Sequence, residues 1–284
     1  MASMQASGFT VRRAAFRKLH ESGCFVIPNP WDIGTARYLR HLGFKALATT
    51  SGGFAFSRGL QDGTVSLDAM LTHIAEIVSS VDLPINADFE SSYAYEPDGV
   101  ARNVHRCVET GIAGLSIEDA TGNPEKPLYD FELAVDRIKA ARATIDSSGA
   151  DVLLTARAEC FLVGHADPLH ESIRRLQAYA AAGADVLYAP GPTKRDDIQA
   201  IVSAVSPKPV NVLLSSNTGL SVTDLAQLGV RRVSVGSSFA RAAWTGFIRA
   251  ATEISKQGTT AAFDGITPYA ELNRFFEQDQ KLPR

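Results

Sequence analysis

Asn86, Asp88 and Glu90 occupy alternate positions in the stretch Leu83-Pro84-Ile85-Asn86-Ala87-Asp88-Phe89-Glu90, so an extended backbone puts all three on one face. Ile85 and Ala87 between them are apolar, and Pro84 opens the run where a missing N–H does least harm. Oxygen-bearing side chains at a strand's end suit a hard cation such as Mg²⁺, with Mn²⁺ as the alternative. Asp88 is the best direct ligand, with Asn86 and Glu118 in support through water. The competing reading is a polar strand end that caps the next helix.

Other short apolar runs end in chemistry of the same kind. Ile117-Glu118-Asp119 and Ala156-Arg157-Ala158-Glu159 add acids and one arginine, and Asn211 stands on a later run. Arg157 can clamp a carboxylate or phosphonate with two parallel hydrogen bonds. Ser51-Gly52-Gly53, after Thr49-Thr50, can present backbone N–H groups to an anion. An anion cradle, a guanidinium and a metal together stabilise an enolate. Each piece has a structural counterpart: a tight turn for Ser51–Gly53, a cap for Glu118 and Asp119, an ion pair of Arg157 with Glu118 or Glu159. His105 reads as part of a solvated helix face, His165 and His170 as flanks of a helix start, and Cys160 as a buried small hydrophobe.

The elements that must position these residues alternate. Strand-type runs fall at Phe25–Pro28, Ala46–Thr50, Ile85–Ala87, Leu115–Ile117, Val152–Ala156, Val186–Tyr188, Val210–Leu214 and Val233–Val235. Helical patterns separate them, at Val11–Ser22, Ile33–Leu42, Asp68–Ser79, Asp98–Thr110, Phe131–Ser147, Pro168–Ala182, Lys194–Val205 and Thr223–Leu228. Gly43, Gly111, Gly183 and Gly229 each close a helical pattern and precede a strand run within about three residues, the short αβ connection of α/β units. Eight such units predict an α/β fold, a (β/α)8 TIM-type barrel with its site at the strands' C-terminal ends. An open doubly wound sheet is the alternative, weakened because no GxGxxG follows the first strand. A single domain spans 1–284: a frayed tail over 1–10, the barrel over 11–245 and a helical extension over 246–284. That extension packs either on its own barrel or on a neighbouring subunit.

Composition excludes several classes. The 284 residues are 45% hydrophobic and 21% charged with a formal net charge of -3, so no basic field points to nucleic acid. No apolar run approaches a membrane span. Cys24, Cys107 and Cys160 are unclustered, which argues against a disulfide framework or zinc site and makes a reducing cytoplasm the expected setting.

Thr50-Ser51-Gly52-Gly53, Asp62, Asn86-Ala87-Asp88, Ile117-Glu118-Asp119 and Ala156-Arg157, in that order and spacing, resemble the isocitrate lyase / phosphoenolpyruvate mutase superfamily over roughly Phe25 to Trp244. The resemblance implies a barrel, Mg²⁺, and making or breaking a bond beside a pyruvate-like enolate. It implies that Ser51, Gly52, Gly53 and Arg157 hold a 2-oxo acid carboxylate, that Asp88 binds the metal directly, and that Asp62 belongs to the acids around it. It also implies homo-oligomers, tetramers or dimers, with C-terminal helices exchanged between subunits. The chain departs from the pattern in three places. Asn86 replaces the first acid of an Asp-x-Asp, Pro190 stands about where the lyases have a glutamate, and the Ala120–Asp130 loop lacks their general-acid cysteine. Proton donors left in that loop are Tyr129, Lys126, Glu125 and a metal-bound water, with Leu128-Tyr129-Asp130 as an anchor being the structural alternative for Tyr129. The expected activity is Mg²⁺-dependent lyase or hydrolase cleavage of a C–C bond in a small 2-oxo or 2-hydroxy (di)carboxylic acid. Phosphonate P–C chemistry and a non-catalytic anion-binding barrel are the alternatives.

Overall fold

The computed structural model describes residues 2–282. Eight parallel strands appear in chain order: β1 Phe25–Ile27, β2 Leu47–Ala48, β3 Ile85–Asp88, β4 Gly114–Glu118, β5 Leu153–Arg157, β6 Val186–Tyr188, β7 Val210–Leu213 and β8 Arg232–Ser234. They pair as β1-β8-β7-β6-β5-β4-β3-β2. The Ala48 N–H donates to Pro28 O at 3.0 Å, which joins β2 to the end of β1 and nearly closes the barrel.

Helices alternate with the strands. They are α1 Ala2–Leu19, α2 Ile33–His41, α3 Ser51–Ser57, α4 Leu67–Ser80, α5 Pro97–Glu109, α6 Phe131–Ser147, α7 Pro168–Ala181, α8 Arg195–Val205, α9 Val222–Gln227, α10 Ser238–Gln257 and α11 Tyr269–Asp279. Gly43, Gly111, Gly183 and Gly229 all take positive φ, between 85° and 100°, as the helix-to-strand repeat requires. Two boundaries differ from the sequence reading. A helical backbone covers most of the stretch 1–10 expected to fray, and α10 runs across the expected 245/246 boundary. Among the described residues no helix is long and apolar enough to cross a membrane.

α1 plugs the N-terminal end of the barrel. Phe16 is fully buried with Ile27, Ala46, Ala48, Ala113 and Leu153. Gly114 stays bare beneath it, since a Cβ there would lie 2.7 Å from the Phe16 ring. Above this plug the barrel interior is polar. Arg232, 3% exposed, donates from Nε to Asn211 Oδ1 at 2.8 Å and from Nη2 to Thr155 Oγ1 at 3.1 Å. Asn211 in turn donates to Ser234 Oγ at 2.9 Å. This layer supports the rim, and the rim carries the acids.

Candidate active site

Strand ends place the first residues. Asp88 closes β3, Glu118 closes β4, Arg157 closes β5 and Tyr188 closes β6. They surround a cavity of about 330 Å³ at the C-terminal face. Asp88 is its hub. The Ser51 N–H and Ser51 Oγ both donate to Asp88 Oδ2 at 3.0 Å, and Arg157 Nη1 donates to Asp88 Oδ1 at 3.1 Å. The same Nη1 lies 3.2 Å from Glu118 Oε2, while Nε donates to Glu159 Oε1 at 2.8 Å. The guanidinium also stands 5.0 Å from the Tyr188 ring centroid. Arg157 is therefore aimed by three carboxylates and an aromatic face, and among the described residues its Nη2 makes no hydrogen bond.

Ser51-Gly52-Gly53 is the first turn of a helix, α3, rather than an isolated tight turn. Its glycines are required by close approach. A Cβ on Gly52 would sit 2.9 Å from Asp62 Oδ2, and one on Gly53 would sit 2.6 Å from Thr50 Cγ2. Thr50 caps the helix by accepting from the Gly53 N–H at 3.2 Å. The Gly53 N–H is spent on this cap, and Gly53 does not line the cavity. Ser51 and Gly52 do line it, and Asp62 closes over Gly52 as a further cavity acid.

Five carboxyls line the cavity: Asp62, Asp88, Glu90, Glu118 and Glu159. Among its lining residues Arg157 is the one cation. Burial, with mutual repulsion, shows in their proton affinities. Desolvation raises the Glu118 carboxyl well above the ordinary range, against the attraction of Arg157. Asp62 is raised by burial and then by Asp88, Glu159 is raised by burial against Arg157, and Glu90 is pushed up to about 7, chiefly by burial. Glu90 sits in a strained turn. It has φ 47°, with Ser92 at 60° and Tyr93 at 57°, a left-handed run of non-glycine residues of the kind that clusters at functional sites. The Tyr93 hydroxyl donates to Glu90 Oε1 at 2.8 Å, and the Glu118 N–H ties the turn to β4 through Glu90 O at 3.0 Å.

These donors fit the metal that the sequence implies. They are hard oxygens in excess of positive charge, as Mg²⁺ prefers. Among the described residues no three His, Cys, Asp or Glu side chains converge as a ready-made metal cage. Asp88 and Glu118 stand on the open cavity, whereas Asn86 lies beneath. Its Nδ2 donates to Ala87 O at 3.1 Å and its buried Oδ1 has no partner, and the residue lines the small interior cavity that Asp88 also borders.

Two other expected residues lie elsewhere. Asn211 is 1% exposed and belongs to the interior layer with Arg232 and Ser234, two residues short of the end of β7. Tyr129 is buried, with the Arg137 guanidinium 4.0 Å from its ring centroid and Tyr95 packed on it at 5.3 Å. Its N–H donates to Asp119 O at 2.9 Å, and Ala120 bridges to Leu128, so Leu128-Tyr129 ties the loop back to the end of β4. Asp119 is buried as well. It accepts from Glu159 N at 2.8 Å, from Arg175 Nη1 at 3.1 Å and from the Tyr179 hydroxyl at 2.5 Å.

Five lining groups had no place in the expected site: Tyr188, Leu213, Gly236-Ser237, Leu162 and Gly63. Tyr188 and Leu213 are the last residues of β6 and β7, so the rule that strand ends face the rim places both.

The chain is similar to known proteins over most of its length. Residues 16–255 match the family described as phosphoenolpyruvate phosphomutase. A crystal structure from Burkholderia cenocepacia J2315, provisionally described as a lyase/mutase, superposes with a TM-score of 0.92 at 47% identity, covering 95% of this chain and 98% of that one. An oxaloacetate acetylhydrolase bound to its product oxalate superposes with a TM-score of 0.83 at 27% identity, covering 96% and 95%. The oxaloacetate decarboxylase of Paraburkholderia xenovorans strain LB400 is 30% identical over 239 residues, 81% of this chain and 76% of that protein.

Proposed function

The chain belongs to the phosphoenolpyruvate phosphomutase family, and on that footing we propose that it is a Mg²⁺-dependent lyase or hydrolase. Its reaction cleaves a C–C bond of a small 2-oxo or 2-hydroxy acid and leaves a pyruvate-like enolate. The observation that carries this reading is Asp88, held between Ser51 and Arg157 and beside Glu118 on one open cavity. The relatives named for oxaloacetate cleavage or decarboxylation support the same class of chemistry.

Asp88 and Glu118 would hold the metal, which when bound supplies positive charge next to the developing enolate oxygen. The rest of the work falls to the chain. Arg157, fixed by Glu118, Glu159 and Tyr188, receives the substrate carboxylate and orients it. Ser51 and Gly52 line the same cavity. Because the Arg157 head is already held in place, little side-chain entropy is lost when it binds, and its field is in place before charge develops. The other acids keep the cavity selective for a cation–anion pair rather than a bare anion.

A panel of 2-oxo acids, acylpyruvates and malate derivatives, assayed for pyruvate or oxalate release with Mg²⁺ and with chelator, tests the reading. Asp88→Asn should abolish Mg²⁺-dependent release and leave the circular dichroism unchanged, because a rim residue supports little packing. Full activity in that variant, or activity indifferent to chelator, sinks the proposal. The family match favours one second reading, P–C bond chemistry, so phosphonopyruvate belongs in the same panel.

A further inference from the structure

We propose that Asp119 is a positioning residue: it holds Glu159 in place, and through Glu159 it sets the guanidinium of Arg157. That Arg157 receives the substrate carboxylate rests on the reading above; the relay behind Arg157 stands on its own geometry. Asp119 is the first residue after β4 and Glu159 the second after β5, so neither belongs to a strand. The Glu159 N–H donates to Asp119 Oδ1 at 2.8 Å. The other oxygen of Asp119 takes two donors from α7, Arg175 Nη1 at 3.1 Å and the Tyr179 hydroxyl at 2.5 Å. Arg175 Nε is held in turn by Glu171 Oε1 at 2.7 Å. Asp119, Glu159, Arg175 and Tyr179 are all buried. A buried ion pair adds little stability over well-packed apolar side chains, so stability alone does not account for one here. What the pair supplies is direction: a carboxylate braced by α7 at one oxygen and fixed on a single backbone N–H at the other.

The far end of the relay is Arg157, whose Nε donates to Glu159 Oε1 at 2.8 Å. Asp88 and Glu118 also engage that guanidinium, but both would be shared with the metal. On that assignment Glu159 is the partner that belongs to Arg157 alone. Asparagine at position 119 cannot replace the carboxylate, because all three neighbours donate and an amide has one accepting oxygen. Two donors meet Oδ2 and one meets Oδ1, so the amide NH2 turns toward Glu159 and the relay breaks there.

Two readouts test this. Phenylglyoxal modification of Arg157, followed by peptide mass spectrometry, needs neither metal nor substrate. The reagent adds to the neutral guanidine, a form that a carboxylate partner suppresses, so Asp119→Asn and Glu159→Gln should each raise the Arg157 rate by about threefold or more. The second readout is steady-state kinetics on the acid that the panel identifies. KM should rise by about tenfold, the scale of one lost hydrogen bond to a charged group, with kcat within about threefold of the parent. The double variant should go no further than Glu159→Gln alone, because both changes act on one path. Phe16→Leu, in the plug at the opposite end of the barrel, controls for lost stability: its Tm should fall while both readouts stay parental. Should Asp119→Asn fold poorly, Tyr179→Phe removes one donor to Asp119 and should raise the Arg157 rate by about twofold. A lowered Tm in Asp119→Asn with both readouts parental overturns the proposal, as do effects that add in the double variant. If no acid is turned over, the reading beneath falls, and the modification rates alone decide the relay.

Discussion

At the scale of single residues, position in a strand decides role. Asp88, Glu118 and Arg157 are terminal strand residues, and all three were legible from the sequence as acids and a base at the ends of apolar runs. Asn211 has the right chemistry but stands two residues before the end of β7, so strand geometry turns it into the barrel one layer below the rim. Its amide satisfies the buried Arg232 guanidinium and Ser234, and Asn211→Ala should lower stability by about 2–3 kcal/mol, the range for stranding a buried charged donor. The KM of the folded variant should stay within about threefold, since nothing in the cavity lining is removed. A variant with parental Tm and a strongly raised KM would return Asn211 to the binding site. Tyr129 illustrates a different limit: loop composition does not encode which way a loop side chain turns. Tyr129→Phe keeps the ring on Arg137 and Tyr95, and its kcat should remain within about threefold of the parent. A loss on the order of a hundredfold, the scale of a missing general acid, would contradict the packing role.

At the scale of elements, α3 is what the sequence concealed. Gly52 and Gly53 are poor helix formers, and their neighbours Thr50 and Ser51 favour turns, so local propensity argues against a helix there. Tertiary packing overrides it, because only glycine fits against Asp62, Thr50 and Trp31. The eight strands and their helices, in contrast, were legible because the helix–glycine–strand period repeats and each glycine supplies a left-handed φ. α3 is steadied from outside by Phe54, which stacks on His73 of α4 at 3.9 Å with planes 8° apart. His73 is 3% exposed, and its buried Nε2 has no partner. Desolvation lowers its pKa from 6.5 to about 4. The folded state therefore binds the proton less readily than the unfolded chain. This contribution to stability is complete above about pH 6.5 and is lost as pH falls toward about 4, by on the order of 3 kcal/mol. His20, lowered to about 3 by burial and Arg232, adds to the same trend at the base of the barrel. Scanning calorimetry from pH 7 to 4 should show a falling Tm in the parent and a shallower fall in His73→Leu. Equal slopes would show that the buried imidazole is not what titrates.

At the scale of the whole molecule, the barrel leaves its last helices with apolar surface to cover. α10 stands out from the barrel with Phe247 60%, Ile248 55% and Trp244 40% exposed. α11 returns to α2 of its own chain. There Asp279, 3% exposed, is paired with Arg40 and lies 3.5 Å from Arg37 Nε, and Phe275 packs on Tyr38 at 5.0 Å. The turn between the two helices starts at Gly258, with φ 67°. Single exposed apolar residues need no explanation, but several large ones along one helix ask for a partner, and a second copy of this chain is the partner we propose. The full chain should run as a tetramer, or at least a dimer, in light scattering at micromolar concentration. Deletion from Gly258 onward removes α11 and its grip on α2, and should shift the equilibrium toward monomer while the far-ultraviolet spectrum keeps its barrel signature. Phe247→Glu should do the same without shortening the chain, because a carboxylate buried in an apolar interface lacks a partner. A full-length chain that is monomeric at that concentration, or an assembly unmoved by both changes, would mean that the exposed face of α10 meets only solvent.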